Sequence, residues 1–267
     1  MRNDTFVQVL SVLLVLVGAA SVKANFVNGG FESPVGGPTP ANWNSIGDAS
    51  IGTSLSKAPY AGSQFGYAST STDPAALSEN SSTVAQTGAA LTASLNLPAI
   101  GSAGGLRAGT ITGSAFTQTL LLAAGDIVNF AADFATYTGA AGDYAFYSIR
   151  LGAGTASATA YIDTTSGSLS TIVNGDFSGQ PLITRDTDWR TYAFSVGAAG
   201  SYTLGFGVGH SDPTPANAGK YSAVGIDAAS ISPLAAVTPL PSVALGGLTL
   251  IAGLGVLQIV RRRRIFG

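Results

Sequence analysis

The chain has 267 residues, no cysteine, one histidine and only 10% charged residues, with 35 glycines. The absence of cysteine excludes a disulfide framework, thiol catalysis and thiolate metal sites. Between residues 25 and 232 six basic residues face 13 acidic ones, a balance of −7 against −2 for the whole chain; an acidic body argues against nucleic acid as a partner and suits the oxygen chemistry of calcium.

In chain order, the first 24 residues read as an exported leader. Arg2 and the α-amine precede an apolar stretch at 6–17, and Ala24 places a small residue before a cleavage point at Asn25. The body, 25–232, consists of short β-branched or aromatic runs separated by glycine-containing turns, the pattern of an all-β domain. It opens on NFVNGGFE (25–32), with a turn at Asn28-Gly29-Gly30. Strands are predicted at 64–69 and 91–97, the second from alternation of Leu91, Ala93, Leu95 and Leu97. Residues 115–122 and 126–137 form the strongest predicted strand pair, joined by a tight Ala-Ala-Gly-Asp turn. Val128, Phe130, Ala132 and Phe134 share one face, with Asn129 and Asp133 on the other. Further strands are predicted at 143–151, 157–162, 189–196, 201–208 and 221–231, with 198–200 as a turn and 209–219 as a polar loop holding His210. About ten strands with short turns is the count of a β-sandwich.

The C-terminal segment, 233–267, has a distinct composition. A Pro/Ala spacer leads to Pro239-Leu240-Pro241-Ser242, then an apolar stretch at 242–260, then Arg261, Arg262, Arg263 and Arg264. As a helix the stretch spans roughly 28 Å, close to the ~30 Å hydrocarbon core of a bilayer. The arginines orient its C-terminal end to the cytoplasm. This order of parts resembles the PEP-CTERM sorting signal of Gram-negative bacteria, in its VPLPA-type variant, from which it departs at Thr238 and Ser242. The resemblance implies an exosortase-type processing enzyme acting near Pro241. It also implies residence in the cytoplasmic membrane followed by release to the cell surface or an extracellular matrix.

The body carries a second resemblance. NGGFE at the start, an internal aromatic strand after Ala-Gly-Asp, and Ser-x-x-Gly-Ile-Asp-x-x-Ser-Ile at 222–231 are similar to galactose-binding-like jelly rolls and carbohydrate-binding modules. That implies a jelly-roll β-sandwich and non-catalytic binding of polysaccharide. It further implies Glu32 and Asp227, on the first and last strands, as ligands of a structural calcium; the alternative use of the two carboxylates is to accept turn N–H groups. Trp43, Tyr60, Tyr137 and Trp189 are the candidate aromatic faces for a sugar ring, Trp43 and Trp189 foremost. Competing readings are a carbohydrate-active hydrolase, drawing on Asp133, Asp143, Asp186 or Asp188 as a carboxylate pair, and an ice-binding or adhesion protein, which needs regular threonine ladders. His210 reads as a solvated loop residue, and no enzyme activity is expected.

Overall fold

The structure is a computed structural model that describes residues 25–34, 39–52, 57–72, 84–136, 142–152, 158–164, 170–171, 185–211 and 221–233. The chain divides into two compact units, Met1–Pro233 and Leu234–Gly267, and every described residue belongs to the first. The leader, Tyr137, the apolar stretch at 242–260, Pro239 to Ser242 and Arg261 to Arg264 lie outside the described residues. No helix among the described residues is long and apolar enough to cross a membrane.

The elements run β1 (Asn44–Ile46), β2 (Ala49–Gly52), β3 (Phe65–Ser69), β4 (Gln86–Thr87), α1 (Gly88–Leu95), β5 (Thr112–Leu122), β6 (Ile127–Thr136), β7 (Tyr144–Leu151), β8 (Ala158–Thr164), β9 (Ser170–Thr171), β10 (Arg185–Asp186), β11 (Arg190–Ser195), β12 (Gly200–His210) and β13 (Ala223–Ser232). They form a two-sheet β-sandwich. One sheet has the order β1-β5-β12-β7-β8, with β4 also on β5; the other has β2-β3-β13-β6-β10-β9, with β11 also on β6. The strand pairs are antiparallel, as in β5–β12, where Phe116 faces Phe206, and β13–β6, where Val224 faces Phe134.

Except at 91–97, the predicted strand positions hold, but the predicted pairing of 115–122 with 126–137 does not. β5 and β6 are not a hairpin: β5 pairs with β12 in one sheet and β6 with β13 and β11 in the other. β11 and β12 are likewise split between the sheets. Both connections turn at the same end of the sandwich and hold each other there. Gly125 N–H donates to Val196 O at 2.7 Å, and Val196 N–H donates to Asp126 O at 2.8 Å. A hydrophobic face on each strand fixes which side is buried, not which strand lies alongside.

Between the sheets the inward rows of β6 (Val128, Phe130, Phe134), β12 (Tyr202, Leu204, Phe206, Val208) and β13 (Val224, Ile226) make one core with Phe26, Phe31 and Trp43. The outer face of the first sheet is covered by α1. Leu91, Leu95, Leu97 and Leu106 pack there on Ile46, Ala115, Tyr144 and Phe146. This corrects the strand predicted at 91–97. Leu91 and Leu95 are buried while Ala93 is exposed, which is helical i, i+4 spacing rather than alternation. The Thr87 side chain caps the helix start by accepting Ala90 N–H, and Asn96, left-handed at φ 51°, ends it.

His210 is also corrected. It is the last residue of β12 and only 6% exposed, with Nδ1 2.5 Å from Asp143 Oδ1. The other Asp143 oxygen accepts from the Ser222 hydroxyl, which meets Thr136 Oγ1 at 2.7 Å. Ser222 and Thr136 belong to the second-sheet side and His210 to the first, so the cluster ties the two sheets with charge-assisted hydrogen bonds. The serine bonds the aspartate and not the histidine, which is not the nucleophile–base arrangement of a hydrolytic triad.

Candidate ligand-binding groove

The second sheet leaves part of its outer face open. There the outward residues of β6, β11 and β13 (Asn129, Ala131, Thr191, Ala193 and Ser230) floor a groove of about 350 Å³, with Tyr60 at its end. The floor follows from register. Thr191 lies opposite Ala131, Ala193 opposite Asn129, and Ser230 opposite Asn129 from the other side, so small and polar side chains from three strands line up on one face. The opposite face of the same strands holds Phe130 stacked on Tyr192, rings 5.3 Å apart, within the core. β13 shifts register between Asp227 and Ser230, and Ala228 there is left-handed at φ 51°, which opens the ladder beside Tyr60.

Tyr60 is 48% exposed, and two devices fix it. Behind it stands Trp189, with ring centroids 6.2 Å apart. The indole is itself held edge-on to Phe65 at 5.4 Å and by an Nε1–H bond to Ala58 O at 2.9 Å. Gly225 gives the indole its room: a Cβ at that position would lie 3.0 Å from the Trp189 ring. Below Tyr60 lies the Asp227 carboxylate, accepting Ala61 N–H at 2.8 Å and Ala228 N–H at 2.6 Å. Glu32 completes the hold on the 60–64 turn, accepting Ser63 N–H at 2.8 Å, Gln64 N–H at 3.1 Å and the Ser63 hydroxyl at 2.6 Å. Gly62 is left-handed at φ 70° where any Cβ would collide with Glu32 Oε1.

Glu32 and Asp227 therefore do come together, with one correction: Glu32 lies outside the strands, beside the 27–30 turn, while Asp227 is in β13. Their oxygens accept N–H and O–H hydrogens, which is the turn-acceptor use of the pair. Calcium wants six to eight oxygens with lone pairs free to point at it. Among the described residues no group of three or more His, Asp or Glu could hold a metal ion.

Electrostatics follow from the same contacts. Burial, with the charge of Glu32, pushes the Asp227 carboxyl up to about 6 against the opposing Ala61 and Ala228 amides. Glu32, at the surface, is held below the ordinary value; burial pulls it upward, but the Ser63 hydroxyl and the Ser63 and Gln64 amides together outweigh that. Asp227 thus holds its proton more tightly in the fold than in the unfolded chain, where aspartate titrates near 3.9. The stability this adds is fully present below about pH 4 and is lost as pH rises through about 6. The melting temperature of the protein is expected to rise between pH 7 and pH 5, and part of that rise to vanish in Asp227→Asn. Thermal scans of both proteins at the two pH values check this; parallel pH responses would rule it out.

A third device lies on the far side of Trp189. Lys57 Nζ sits 3.2 Å from Asp133, 2.9 Å from Asp186 and 2.8 Å from Asp188. Asp133 takes the face of β6 opposite the apolar row, as predicted, yet its side chain is 1% exposed because Lys57 and the 185–189 segment cover it. Thr187 Oγ1–H bonds Asp133 Oδ1 at 3.1 Å and accepts Phe134 N–H at 2.9 Å. Burial disfavours the Lys57 cation, but Asp133, Asp188 and Asp186 outweigh this and raise it well above the ordinary lysine value. Asp133 moves up too, to about 6, because burial and Asp186 outweigh its share of Lys57. One ammonium divided among three carboxylates explains both directions.

Of the aromatic candidates, Trp43 is not at the groove. It is 5% exposed and stacked between Phe26 and Phe31, a core residue with no face for a sugar. Trp189 is half-buried and backs the groove, and Tyr60 is the ring that presents itself. Asn129, Thr191 and Ser230 were not singled out as ligand contacts. Their only signal in the sequence is the outward phase of strands whose inward phase is aromatic.

No family model matches the sequence, and no curated protein matches it. Among solved structures the chain is similar to TmCBM61 in complex with beta-1,4-galactotriose, at 12% identity over 78% of this chain and 97% of that one, TM-score 0.41. It is similar to the K1 cleaved adhesin domain of Lys-gingipain from Porphyromonas gingivalis W83, at 13% identity over 79% and 99%, TM-score 0.41. It is also similar to the CBM22-1 xylan-binding domain of Paenibacillus barcinonensis Xyn10C, at 14% identity over 78% and 91%, TM-score 0.32.

Proposed function

We propose that the β-sandwich at 25–232 is a non-catalytic polysaccharide-binding domain of an exported surface or matrix protein, with the groove beside Tyr60 as its site. The observation that carries this is a half-exposed tyrosine ring, braced from behind and below, standing over a flat floor of small residues. Asn129, Thr191 and Ser230 supply amide and hydroxyl groups on that floor. Such a wall suits the C–H face of a pyranose, and the floor suits its hydroxyls. A non-catalytic role is supported by the state of the nearest carboxylates. Asp227 is committed to the Ala61 and Ala228 amides, and Asp133 and Asp186 to Lys57, whereas a glycosidase needs an acid and a base or nucleophile facing one bond. The test is binding of the full chain, purified in detergent, to a panel of immobilised polysaccharides. At least one polymer is expected to bind, with Tyr60→Ala weakening it by about tenfold or more. Retention on none, or binding indifferent to Tyr60, would overturn the proposal.

The tail supports export and sorting as the context of this binding. On the resemblance of Pro239-Leu240-Pro241-Ser242 and Arg261 to Arg264 to a PEP-CTERM signal, the membrane stage is transient and an exosortase-type enzyme ends it. Protein recovered from the producing cells is expected to lack the peptide containing Arg261 to Arg264 in its mass spectrum. Intact C-terminal peptides as the dominant species would make it a single-pass membrane protein instead.

A further inference from the structure

On the reading that the groove binds polysaccharide, we infer that it selects a neutral glycan and rejects the same polymer when it carries uronic acids. The charges around Tyr60 are unbalanced. Asp227 lies beneath the ring, bonded to the amides of Ala61 and Ala228; Glu32 holds the turn on one side; Asp133, Asp186 and Asp188 gather beyond Trp189 around a single ammonium, Lys57. Glu32 is exposed, as is the Asp188 side chain at 72%, so both project field into solvent on the Tyr60–Trp189 side of the site.

Among the described residues no Lys, Arg or His lines the groove. The arginines nearest in sequence to its floor sit on the other strand phase. Arg190 lies opposite Ala132 and Arg185 opposite Thr136, both on the core-facing phase of β6, whereas Thr191 and Asp186 take the groove-facing phase. Arg150, in β7, bonds Thr203, and Arg107, in the loop before β5, lies over Tyr144 of β7 and Tyr161 of β8, so both sit with the other sheet. A carboxylate brought in on each sugar would meet like charge, with no cation among the described lining residues to receive it.

The experiment compares one polymer in two forms: the neutral glycan that binds best in the panel, and the same glycan oxidised at C6 to uronic acids. At about 20 mM salt the oxidised form is expected to bind at least about tenfold more weakly, the gap closing as salt is raised toward about 0.5 M, where charges beyond a few ångströms are screened. Asp188→Asn, which removes an exposed carboxylate of the Lys57 cluster, is expected to narrow the ratio of affinities for the two forms, each measured on the variant, whatever its effect on the neutral form alone. Equal or tighter binding of the oxidised form at low salt overturns the selectivity and leaves the polysaccharide role intact. Binding of neither form, at any salt, removes the polysaccharide role itself and the selectivity with it.

Discussion

Lys57→Met is expected to destabilise the domain by about 3–5 kcal/mol at pH 7, the size seen when one partner of a buried ion pair is removed. The lysine side chain is 5% exposed, Asp133 1% and Asp186 5%, so both carboxylates would be left in the interior with no cation. Asp188, with its side chain 72% exposed, has water as an alternative partner, and Asp188→Asn is expected to cost under about 1 kcal/mol. The deficit of Lys57→Met is expected to shrink as pH falls toward 5, because Asp133 already titrates near 6 beside the ammonium and rises further without it. Denaturant unfolding of the three proteins at pH 7 and pH 5 reads both effects. A Lys57→Met protein as stable as the parent at pH 7 would mean that methionine packing replaces the network at no loss. The three carboxylates would then be incidental to the fold.

The same variant separates scaffold from site. The cluster reaches the groove through Ala58 O, Trp189 and then Tyr60. A folded Lys57→Met protein that binds glycan less tightly, with Tyr60 intact, would place the network among the positioning elements of the groove.

Lys57 also marks where the sequence stops being informative. It lies before a Pro-Tyr-Ala-Gly turn with no periodicity around it, and its partners are separated from it by 76 residues at the nearest, Asp133. Strand existence was legible because each strand carries its own period of two: 126–137 buries the predicted face, and 189–196 and 201–208 bury their alternate aromatic and aliphatic residues. Partnership was not, since alternation is satisfied equally by a hairpin and by two strands crossing between sheets. The error at 91–97 arose in the same local way. Four small or apolar residues at i, i+2, i+4 and i+6 fit a strand, and the deciding signals were the Thr87 cap and the left-handed Asn96. At the site, the clustering of Glu32 with Asp227 was legible from the likeness of the two end motifs to known jelly rolls. The groove floor was not, because a site made of Ala, Thr, Asn and Ser on outward strand phases has the composition of any solvated sheet.

Trp43→Ala is expected to cost about 3–5 kcal/mol, the range for emptying a buried tryptophan site. The indole lies 5.5 Å from Phe26 and 4.9 Å from Phe31 in near-parallel stacks, and edge-on to Phe116 and Phe206 at 6.3 and 5.9 Å. Its Nε1–H donates to Asn28 O at 2.9 Å, and Asn28, left-handed at φ 60°, in turn bonds Ser33 in both directions at 3.0 Å. Trp43 is thus the pin that fastens the opening segment to β5 and β12, and that segment carries Glu32 to the groove. Trp43→Phe keeps much of the stacking and loses the indole donor. It is expected to cost less than the alanine change, by an amount that still includes about 1 kcal/mol for the hydrogen bond. Glycan affinity, measured on the folded Trp43→Phe protein, is expected to stay within about twofold of the parent, while Tyr60→Ala, remote from this cluster, loses affinity with little loss of stability. The opposite pairing, a stable Trp43→Phe protein that no longer binds and a Tyr60→Ala protein that does, would return the sugar-stacking role to Trp43 and move the site off the second sheet.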